Sequence, residues 1–530
     1  MLIGHVSDER FVAIEGVALE FIRDGVSVAA TSRASGAVHA DISPGTYDVV
    51  LAKPGFGSKR VTMEVARDRP YQFRLLADQL LGYPWPKYVR AGEQAEFRVH
   101  APEAFHVELW RYGLKKERVA GLGWWDEHGP RAMVQITPDG DFTRTGVQWS
   151  RTGYASPGFR PKATAPERSG LYYFHVSTRS GLFFSFPWIV APAKPTAKIA
   201  VLASNITWNA YNAFGGRSNY ISTDKLPDTP TVNSRQDLLR YTTADFLTYQ
   251  SETYAPLSFD RPEPINFVPE DETPEKVIAG RSACHLAPAE WRFLAWMERE
   301  GFDYDFWAES QLHDGQLDLD AYRILILSTH PEYWSREMYF KAKAWVHERG
   351  GRLLYLGGNG IDCEVTFEGD AMVCHNGDAR RLRRPGAYTP RFRDRVECPS
   401  NLLGVVFDYD GAMTGAPYRV ADARHWIFAG TDLRDGDLFG TASLHMRCPG
   451  GASGHETDKM TPWTPPGAVR LAKGENPDNG GADLVHYETP SGGKVFSVGS
   501  IAWNAAILVD DKVSRITRNV IENFLRPAGV

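Results

Sequence analysis

The sequence predicts a multidomain protein in which two β-sandwich-like modules precede an α/β domain with a mostly parallel sheet. Three observations support this fold class. A chain of 530 residues is too long for a single hydrophobic core. Short β-rich runs separated by Gly, Pro and Ser clusters fill roughly the first 195 residues. Beyond them, apolar runs alternate with helical patterns, which is typical of parallel strands joined by crossover helices.

The two predicted modules divide at about residue 78. Residues 1–78 carry short runs of β-branched and aromatic residues, and residues 79–195 add a high density of aromatic rings. Most of these rings are expected in the core, because aromatic side chains dominate sandwich interiors. The Pro-rich segment Ala191–Pro195 is typical of a linker. The first module shows no convergent polar groups, so we expect an accessory or oligomerisation role for it.

The α/β domain is predicted over residues 196–530, and its centre is the stretch Ile324–Ser335. An apolar run typical of a buried strand stops at Ser328, and His330 and Glu332 follow within four positions. The proline between them lacks an N–H group and disfavours helix for the residue before it, so the chain leaves the sheet as a loop. A helix and a second apolar strand follow, which predicts a right-handed crossover. Ligands bind at the carboxyl ends of such strands, so this loop is expected at a site.

Four predicted strands of this domain end in loops that carry polar or aromatic side chains. Parallel pairing would gather these loops on one rim of the sheet, which indicates a site more strongly than any single motif does. Two long irregular segments, residues 217–280 and 361–490, are expected to shape the pocket. The four strands end at Ala203, Ser328, Leu356 and Val498.

The composition narrows the classes of partner and compartment. A formal net charge of −6 does not suggest a nucleic-acid or anionic-membrane partner. The amino terminus lacks the basic and apolar regions of a secretion signal, and no apolar run reaches the ~20 residues that span a bilayer. Five widely spaced cysteines without a Cys-x-x-Cys pair favour reduced thiols in the cytoplasm.

A nucleophilic thiol is the first chemistry to consider, because a Gly-rich turn after a parallel strand is the setting of a nucleophile elbow. The turn here is Gly357–Gly360, and Asn359 occupies the position that Cys or Ser would require. Asparagine is no nucleophile, but its amide can hold an oxyanion or a water. Cys284 and His285 are the other candidate pair. Because residues adjacent in sequence rarely orient as nucleophile and base, we reject thiol catalysis.

A metal ion is the second option. His330 and Glu332 share a face of an extended chain, although a loop His and Glu satisfied by backbone bonds is equally compatible with this spacing. No His-Glu-x-x-His motif accompanies them, so a zinc triad has little support. Tyr211 and Tyr254 lie in the first strand-end loop and the first long segment. An isolated tyrosine is usually a core residue, yet phenolate and carboxylate together are a hard oxygen set that suits ferric iron.

Five spaced motifs follow one another along the chain: Thr207–Gly216, Ser258–Pro262, Trp291–Asp303, Thr329–Ser335 and Leu356–Gly360. In this order they resemble the motifs of the large (β) subunit of N,N-dimethylformamidase and its relatives. The resemblance covers roughly residues 80–530, and the first 80 residues depart from it.

The resemblance implies a glutamine-amidotransferase-like (flavodoxin-like) α/β domain that has lost its thiol, in agreement with Asn359 at the elbow. It also implies a mononuclear non-haem iron (Fe³⁺) held by two tyrosines and one glutamate. Glu332 and Tyr211 match two of these ligands. Tyr254 is our choice for the second tyrosine, with Tyr249 and Tyr220 as rivals.

The family resemblance also implies catalytic positions at His330 and Asn359 and at a later glutamate, for which Glu475 is the candidate. In this hypothesis Asn359 holds the oxyanion, and His330 or the late glutamate relays a proton to the leaving amine.

The expected function is iron-dependent hydrolysis of the C–N bond of a small amide, which releases a carboxylate and an amine. The alternatives are a zinc or manganese hydrolase of a ureide or carbamate, and a non-catalytic small-molecule-binding protein. We expect a small-molecule amide substrate and a homo-oligomer, and a requirement for a small partner subunit stays open.

Overall fold

A computed structural model describes residues 1–125, 135–149, 161–232, 254–270, 285–375, 391–408 and 410–527. The predictions for Tyr249 and Cys284 lie outside the described residues. The architecture is multidomain and β-rich, with β modules at the amino terminus and one large mixed sheet in the remainder. Among the described residues, none of the helices combines the length and the apolar character needed to cross a bilayer.

The first module consists of a three-stranded sheet, β4-β1-β7, and a four-stranded sheet, β3-β2-β5-β6. Burial alternates along β5, where Tyr47, Val49 and Leu51 are buried, because successive side chains of a strand point to opposite faces. These residues form one core with apolar side chains from the other strands. The strands are β1 Leu2–Ser7, β2 Ala18–Arg23, β3 Val26–Thr31, β4 Ala37–His39, β5 Gly45–Ala52, β6 Ser58–Val65 and β7 Tyr71–Arg74.

The second module has a core of aromatic rings between the sheets β13-β10-β8 and β12-β11-β14-β15-β9. Phe174 packs against Phe97 and Trp188, with ring centroids 5.8 and 5.3 Å apart. On the other face, Tyr112 contacts Trp291 of the following domain, with ring centroids 4.5 Å apart. The elements are β8 Leu81–Trp85, β9 Tyr88–Arg90, β10 Gln94–His100, β11 Phe105–Tyr112, β12 Lys116–Trp125, α1 Phe142–Thr145, β13 Lys162–Thr164, β14 Gly170–Thr178 and β15 Phe183–Ala191.

The third part is built on a nine-stranded sheet in the order β18-β16-β19-β21-β32-β31-β30-β26-β27. The first five of these strands are parallel, and the last four are antiparallel. The strands of this third part, which include the nine of the large sheet and those of smaller sheets, are β16 Ile199–Ala203, β17 Leu257–Ser258, β18 Asp305–Ala308, β19 Ile324–Thr329, β20 Tyr333–Trp334, β21 Arg352–Gly357, β22 Cys363–Glu368, β23 Ala371–Cys374, β24 Val406–Asp408, β25 Gly415–Ala416, β26 Tyr418–Val420, β27 Leu438–Phe439, β28 Ser453–Gly454, β29 Thr457–Lys459, β30 Val469–Gly474, β31 Asp483–Glu488 and β32 Lys494–Ser497.

Helices cover both faces of the parallel strands. Ile324 and Ile326 of β19 belong to the core on one face, and Leu325 and Leu327 belong to the core on the other. This alternation explains why the strand is apolar throughout, since both of its faces are buried. The helices are α2 Asn205–Tyr211, α3 Ala287–Arg299, α4 Glu309–His313, α5 Arg336–His347, α6 Phe392–Arg395, α7 Ser400–Leu403, α8 Trp503–Ala506 and α9 Asp511–Leu525.

The predicted strand–loop–helix–strand unit is confirmed. The strand β19 ends at Thr329, the hydroxyl of Ser335 accepts a hydrogen bond from the Met338 N–H group at the start of α5, and β21 pairs in parallel with β19. The segment 361–490 differs from the expected irregular insertion, because four of its short strands extend the sheet in antiparallel order. Antiparallel pairing of these short strands needs no crossover helix.

Candidate active site

The predicted convergence of strand ends is confirmed. The Ser204 hydroxyl, just after β16, donates to the carbonyl of Ser328 at 3.0 Å. The side-chain amide of Asn504 donates to the Leu356 carbonyl at 3.0 Å and to the Thr329 hydroxyl at 3.1 Å. These bonds tie the ends of neighbouring strands to one another and to the loop that follows the last of them, so the loops share one rim.

Two tyrosine hydroxyls meet the carboxylate of Glu332 at this rim. Tyr211, the last residue of α2, places its hydroxyl 3.1 Å from Glu332 Oε2. Tyr220 places its hydroxyl 3.0 Å from both carboxylate oxygens and 2.7 Å from the Tyr333 hydroxyl. The Glu332 N–H group donates to the Thr207 hydroxyl at 3.2 Å, which connects the loop after β19 directly to α2.

His330 lies between the carboxylates of Glu332, which is buried, and Glu456, which is partly buried. Its Nε2 atom is 3.2 Å from Glu332 Oε2 and 3.1 Å from Glu456 Oε2. Glu456 comes from the loop between β28 and β29, far along the chain from the other groups. His330, Glu332 and Glu456 each offer one ligand atom within 4.8 Å of the others, so they could hold a metal ion.

The backbone around these groups is held in tight left-handed conformations. Thr329, Asn359 and His455 have φ values of 55°, 52° and 68°, and such strain in non-glycine residues is concentrated at functional sites. Gly358 allows the loop of Glu456 to approach closely. A Cβ atom on Gly358 would lie 2.4 Å from the Glu456 carbonyl oxygen, so a larger residue would displace Glu456.

Asp458 and Tyr355 hold the turn that carries Asn359. The Asn359 N–H group donates to Asp458 Oδ1 at 2.8 Å, and the Tyr355 hydroxyl donates to Asp458 Oδ2 at 2.7 Å. The same hydroxyl accepts the Gly360 N–H group at 2.7 Å. The Asn359 side chain also hydrogen-bonds Glu456, so the elbow faces the site.

Burial and charge together set the protonation of these groups. Burial raises the pKa of Tyr211 and Tyr220 well above the ordinary value, and the charge of Glu332 raises both further. Burial opposes a proton on His330, but the carboxylates of Glu332 and Glu456 outweigh it and raise the His330 pKa to about 10. Burial likewise opposes the charge of Glu456, but contact with His330 lowers its pKa to about 2.

Three buried polar atoms at the centre of the cluster have no hydrogen-bond partner among the described residues: His330 Nε2, Glu456 Oε2 and Asn359 Oδ1. The first two are close to each other, but at angles that form no hydrogen bond. Unsatisfied buried atoms of this kind call for a bound ligand or ion. Hard phenol and carboxylate oxygens beside them fit a metal ion, which would favour ionisation of the phenols.

Three further histidines, His285, His455 and His445, form a chain of contacts that begins at His330. His285 Nδ1 is 2.9 Å from His330 Nδ1, and His455 Nδ1 is 2.8 Å from His445 Nε2. The rings of His285 and His455 lie 4.9 Å apart. Burial lowers the pKa of His285 well below its usual value and lowers the pKa of His455 to about 3. These rings are therefore neutral and offer both hydrogen-bond donors and acceptors.

The structure brings together Tyr211, His330, Glu332 and Asn359, all of which the sequence analysis selected. Tyr254 is buried in an apolar cluster with Leu257 and Tyr333, and Tyr211 and Tyr220 pack against that cluster. In the described part of the chain, Tyr220 places its hydroxyl on the Glu332 carboxylate, where the sequence analysis chose Tyr254.

Glu475 is not part of this cluster. It lies at the surface, where its carboxylate forms two hydrogen bonds with Arg419, at 3.0 and 2.9 Å. The second carboxylate beside His330 is Glu456, which the sequence analysis missed. The dipeptide His455-Glu456, directly after the Gly-rich stretch that ends at Gly454, was the available signal.

The fold and the site define a multidomain, β-rich protein whose mixed sheet carries a buried cluster of phenol, imidazole and carboxylate groups at the ends of its parallel strands. The chain belongs to the N,N-dimethylformamidase beta subunit-like, C-terminal family, whose model matches residues 107–514. The match includes every described member of the cluster.

Two curated relatives bear the same name, N,N-dimethylformamidase beta subunit. The protein from Paracoccus aminophilus is 29% identical over 405 residues, which cover 64% of this chain and 50% of the relative. The protein from Alcaligenes sp. is 28% identical over 292 residues, which cover 45% of this chain and 37% of the relative. The matched regions thus span half or less of each relative's length.

Solved structures give a weaker likeness. The β-galactosidase from Rahnella sp. R3 aligns with a TM-score of 0.28 at 10% identity, over 63% of this chain and 32% of its own. The β-galactosidase from Bacillus circulans sp. alkalophilus also gives 0.28, at 13% identity, over 62% of this chain and 31% of its own. A TM-score at this level does not define a shared fold.

Proposed function

We propose that this protein is a metal-dependent hydrolase that cleaves the C–N bond of a small amide and releases a carboxylate and an amine. The observation that carries the proposal is the meeting of Tyr211, Tyr220 and Glu332 beside His330 and Glu456. Membership of the dimethylformamidase beta subunit-like family supports the amide as the substrate class. The five parallel strands, with Asn359 at the elbow, are compatible with a glutamine-amidotransferase-like domain that lacks its thiol.

The proposed ion is a single ferric iron, held by the phenol oxygens of Tyr211 and Tyr220 and by the carboxylate of Glu332. These are hard oxygen donors, and two phenolates with one carboxylate would balance a trivalent charge. Tyr254 stays the alternative second tyrosine. When bound, the ion would supply Lewis-acid polarisation of the amide carbonyl and a bound water with a lowered pKa.

The chain's own residues would position and move protons. His330 Nε2 lies 3.1 Å from Glu456 Oε2. The Glu456 carboxylate would take a proton from the attacking water, and the protonated imidazole of His330 would deliver a proton to the leaving amine nitrogen. The backbone N–H group of Asn359 is held by Asp458. The side-chain amide of Asn359 would donate to the oxyanion of the tetrahedral intermediate. One preorganised donor of this kind contributes about 3–4 kcal/mol to transition-state stabilisation.

A second candidate function keeps the fold and changes the ion. His330, Glu332 and Glu456 form a compact set of one imidazole and two carboxylates, which would suit zinc or manganese. Such a centre would act on a ureide or a carbamate. Both candidates use Glu332 as a ligand. In the iron candidate the other ligands are Tyr211 and Tyr220, and in the zinc or manganese candidate they are His330 and Glu456.

We extend the proposal to assembly and compartment. The relatives are named as beta subunits, which supports a partner subunit for this chain, in addition to self-association into a homo-oligomer. The described cysteines are free thiols, which supports a cytoplasmic location.

The test uses the full chain expressed in iron-containing medium and purified without added metal. We expect about one iron per chain, a visible phenolate-to-iron absorption, and release of formate and dimethylamine from N,N-dimethylformamide. Glu332→Gln should lose both iron and activity, by at least about a hundredfold in kcat/KM, because it removes the shared ligand. Glu337→Gln, an exposed carboxylate on α5, is the matched control and should keep both. Zinc or manganese in place of iron would favour the second candidate, and full iron content in Glu332→Gln would contradict the ligand assignment.

A further inference from the structure

A cavity of about 820 Å³ opens in front of the two tyrosines, and all three parts of the chain form its walls. Tyr211 and Tyr220 lie on the wall from the α/β domain, and Phe183 and Phe184 lie on the wall from the second module. The first module contributes residues 8–10 and Val12, from the loop after β1. This cavity runs from the two tyrosines of the candidate active site to a module with no assigned role.

We propose that the first module completes the substrate pocket, and that Glu9 binds an N–H or ammonium group at the far end of an amide substrate with an apolar body. The chemistry at the near end rests on the function proposed above. The binding role of Glu9 stands on the cavity itself.

The first module is fastened to the loop that follows Tyr211. Arg74 is fully buried, and its Nη2 atom donates to the carbonyl oxygens of Asp8 at 2.9 Å and Gly215 at 3.0 Å. The Gly215 N–H group donates in turn to the Glu9 carbonyl oxygen. A Cβ atom on Gly216 would lie 2.5 Å from Phe11 Cβ, so glycine is required for this approach. The cavity wall that carries Glu9 is therefore fixed relative to the tyrosines.

Glu9 is a buried carboxylate with one unsatisfied oxygen. The residue is 9% exposed, and its Oε1 atom accepts a hydrogen bond from Gln79 Nε2 at 2.8 Å. Its Oε2 atom has no hydrogen-bond partner within the described ranges. Arg10 pairs with Asp8 and is largely exposed. An unpaired buried carboxylate oxygen is costly, so a donor supplied by a ligand in the cavity would offset that cost.

The rest of the lining sets the class of substrate. A cavity of this volume is within the range of roughly 300–1,000 Å³ that suits drug-sized ligands, far larger than N,N-dimethylformamide requires. The apolar side chains favour an aromatic or branched body between the scissile amide and the basic end. They include Leu80, Leu81, Phe183, Phe184, Phe214 and Phe267.

The experiment compares two formamides that differ only at the far end. N-[4-(aminomethyl)benzyl]formamide carries a protonated aminomethyl group on the ring. N-(4-methylbenzyl)formamide carries a methyl group in place of that aminomethyl group. We expect the wild-type chain to favour the ammonium compound in kcat/KM for formate release, and Glu9→Gln to reduce this preference by about tenfold to a hundredfold. Glu64→Gln removes the same charge from an exposed position on β6 and should keep the preference.

A second variant tests the cavity without touching the carboxylate. Ile265 lines the cavity and is 40% exposed, so Ile265→Trp should narrow the cavity without disturbing the core. It should raise KM for both benzyl compounds relative to N,N-dimethylformamide. Phe340→Trp, on the exposed face of α5, is the matched control.

Calorimetric binding of both formamides separates this proposal from the proposed function. Glu9-dependent binding of the ammonium compound, with no hydrolysis of either benzyl formamide or of N,N-dimethylformamide, would support the pocket and overturn the hydrolase assignment. Hydrolysis of both compounds with the same preference in wild type and in Glu9→Gln would support the hydrolase and overturn the role of Glu9.

Discussion

Asp458 should decide whether Asn359 is held in a productive position. Its carboxylate accepts two buried donors, the Asn359 N–H group at 2.8 Å and the Tyr355 hydroxyl at 2.7 Å. Asp458→Ala leaves both donors unsatisfied, and each unsatisfied buried donor costs about 1–3 kcal/mol. The sum predicts a loss of about 2–6 kcal/mol in the free energy of unfolding. Asp458→Asn keeps one acceptor oxygen, so about half of that loss is expected.

The assay combines urea unfolding with kinetics on an amide substrate. We expect the urea midpoint to fall without a change in slope, and kcat to fall more than KM rises, because the turn at Asn359 has a left-handed backbone that relaxes without its anchor. Asp408→Ala, an exposed carboxylate on the neighbouring strand β24, should change stability by less than about 0.5 kcal/mol. An Asp458→Ala variant as stable and as active as the wild type would refute this account of the elbow.

Two further predictions concern the tyrosines and a buried acid. Tyr220→Phe should lose bound iron and most of the phenolate absorption, while Tyr254→Phe keeps both; the reverse result would make Tyr254 the ligand. Glu290 is buried on α3 and accepts the Ser204 N–H group at 3.1 Å, and burial raises its pKa from 4.5 to about 8. Its neutral form therefore contributes stability that is complete below pH 4.5 and is lost as pH rises through 8. Relative to the wild type, Glu290→Gln should gain up to ~4 kcal/mol in unfolding free energy between pH 5 and pH 9; equal pH profiles would contradict this.

The elements with strong local patterns were accessible from the sequence. The continuous apolar run of β19 predicts a strand buried on both faces, and Ser335 marks the start of the next helix. The local sequence also places His330 and Glu332 at a strand end, because Pro331 between them continues neither a buried strand nor a helix. In these cases each residue and its immediate neighbours contain the physical information.

Local periodicity did not select Tyr220, which was only a rival to Tyr254 in the sequence analysis, or Glu456, which was not chosen at all. Both lie in loops without periodicity, and contacts between distant parts of the chain bring them to Glu332 and His330. Tyr254 and Glu475 were chosen from the motifs beside them, but neighbouring motifs do not determine where a loop side chain points. The contact of Glu9 with the cavity is of the same kind, because it depends on packing between separate modules.

The most direct test of the account is a crystal structure of the metal-loaded full chain with anomalous scattering recorded on both sides of the iron edge. We expect one iron peak within bonding distance of the Tyr211 and Tyr220 hydroxyls and the Glu332 carboxylate. A peak held by His330 and Glu456 without either phenol, or iron bound elsewhere in the chain, would contradict it.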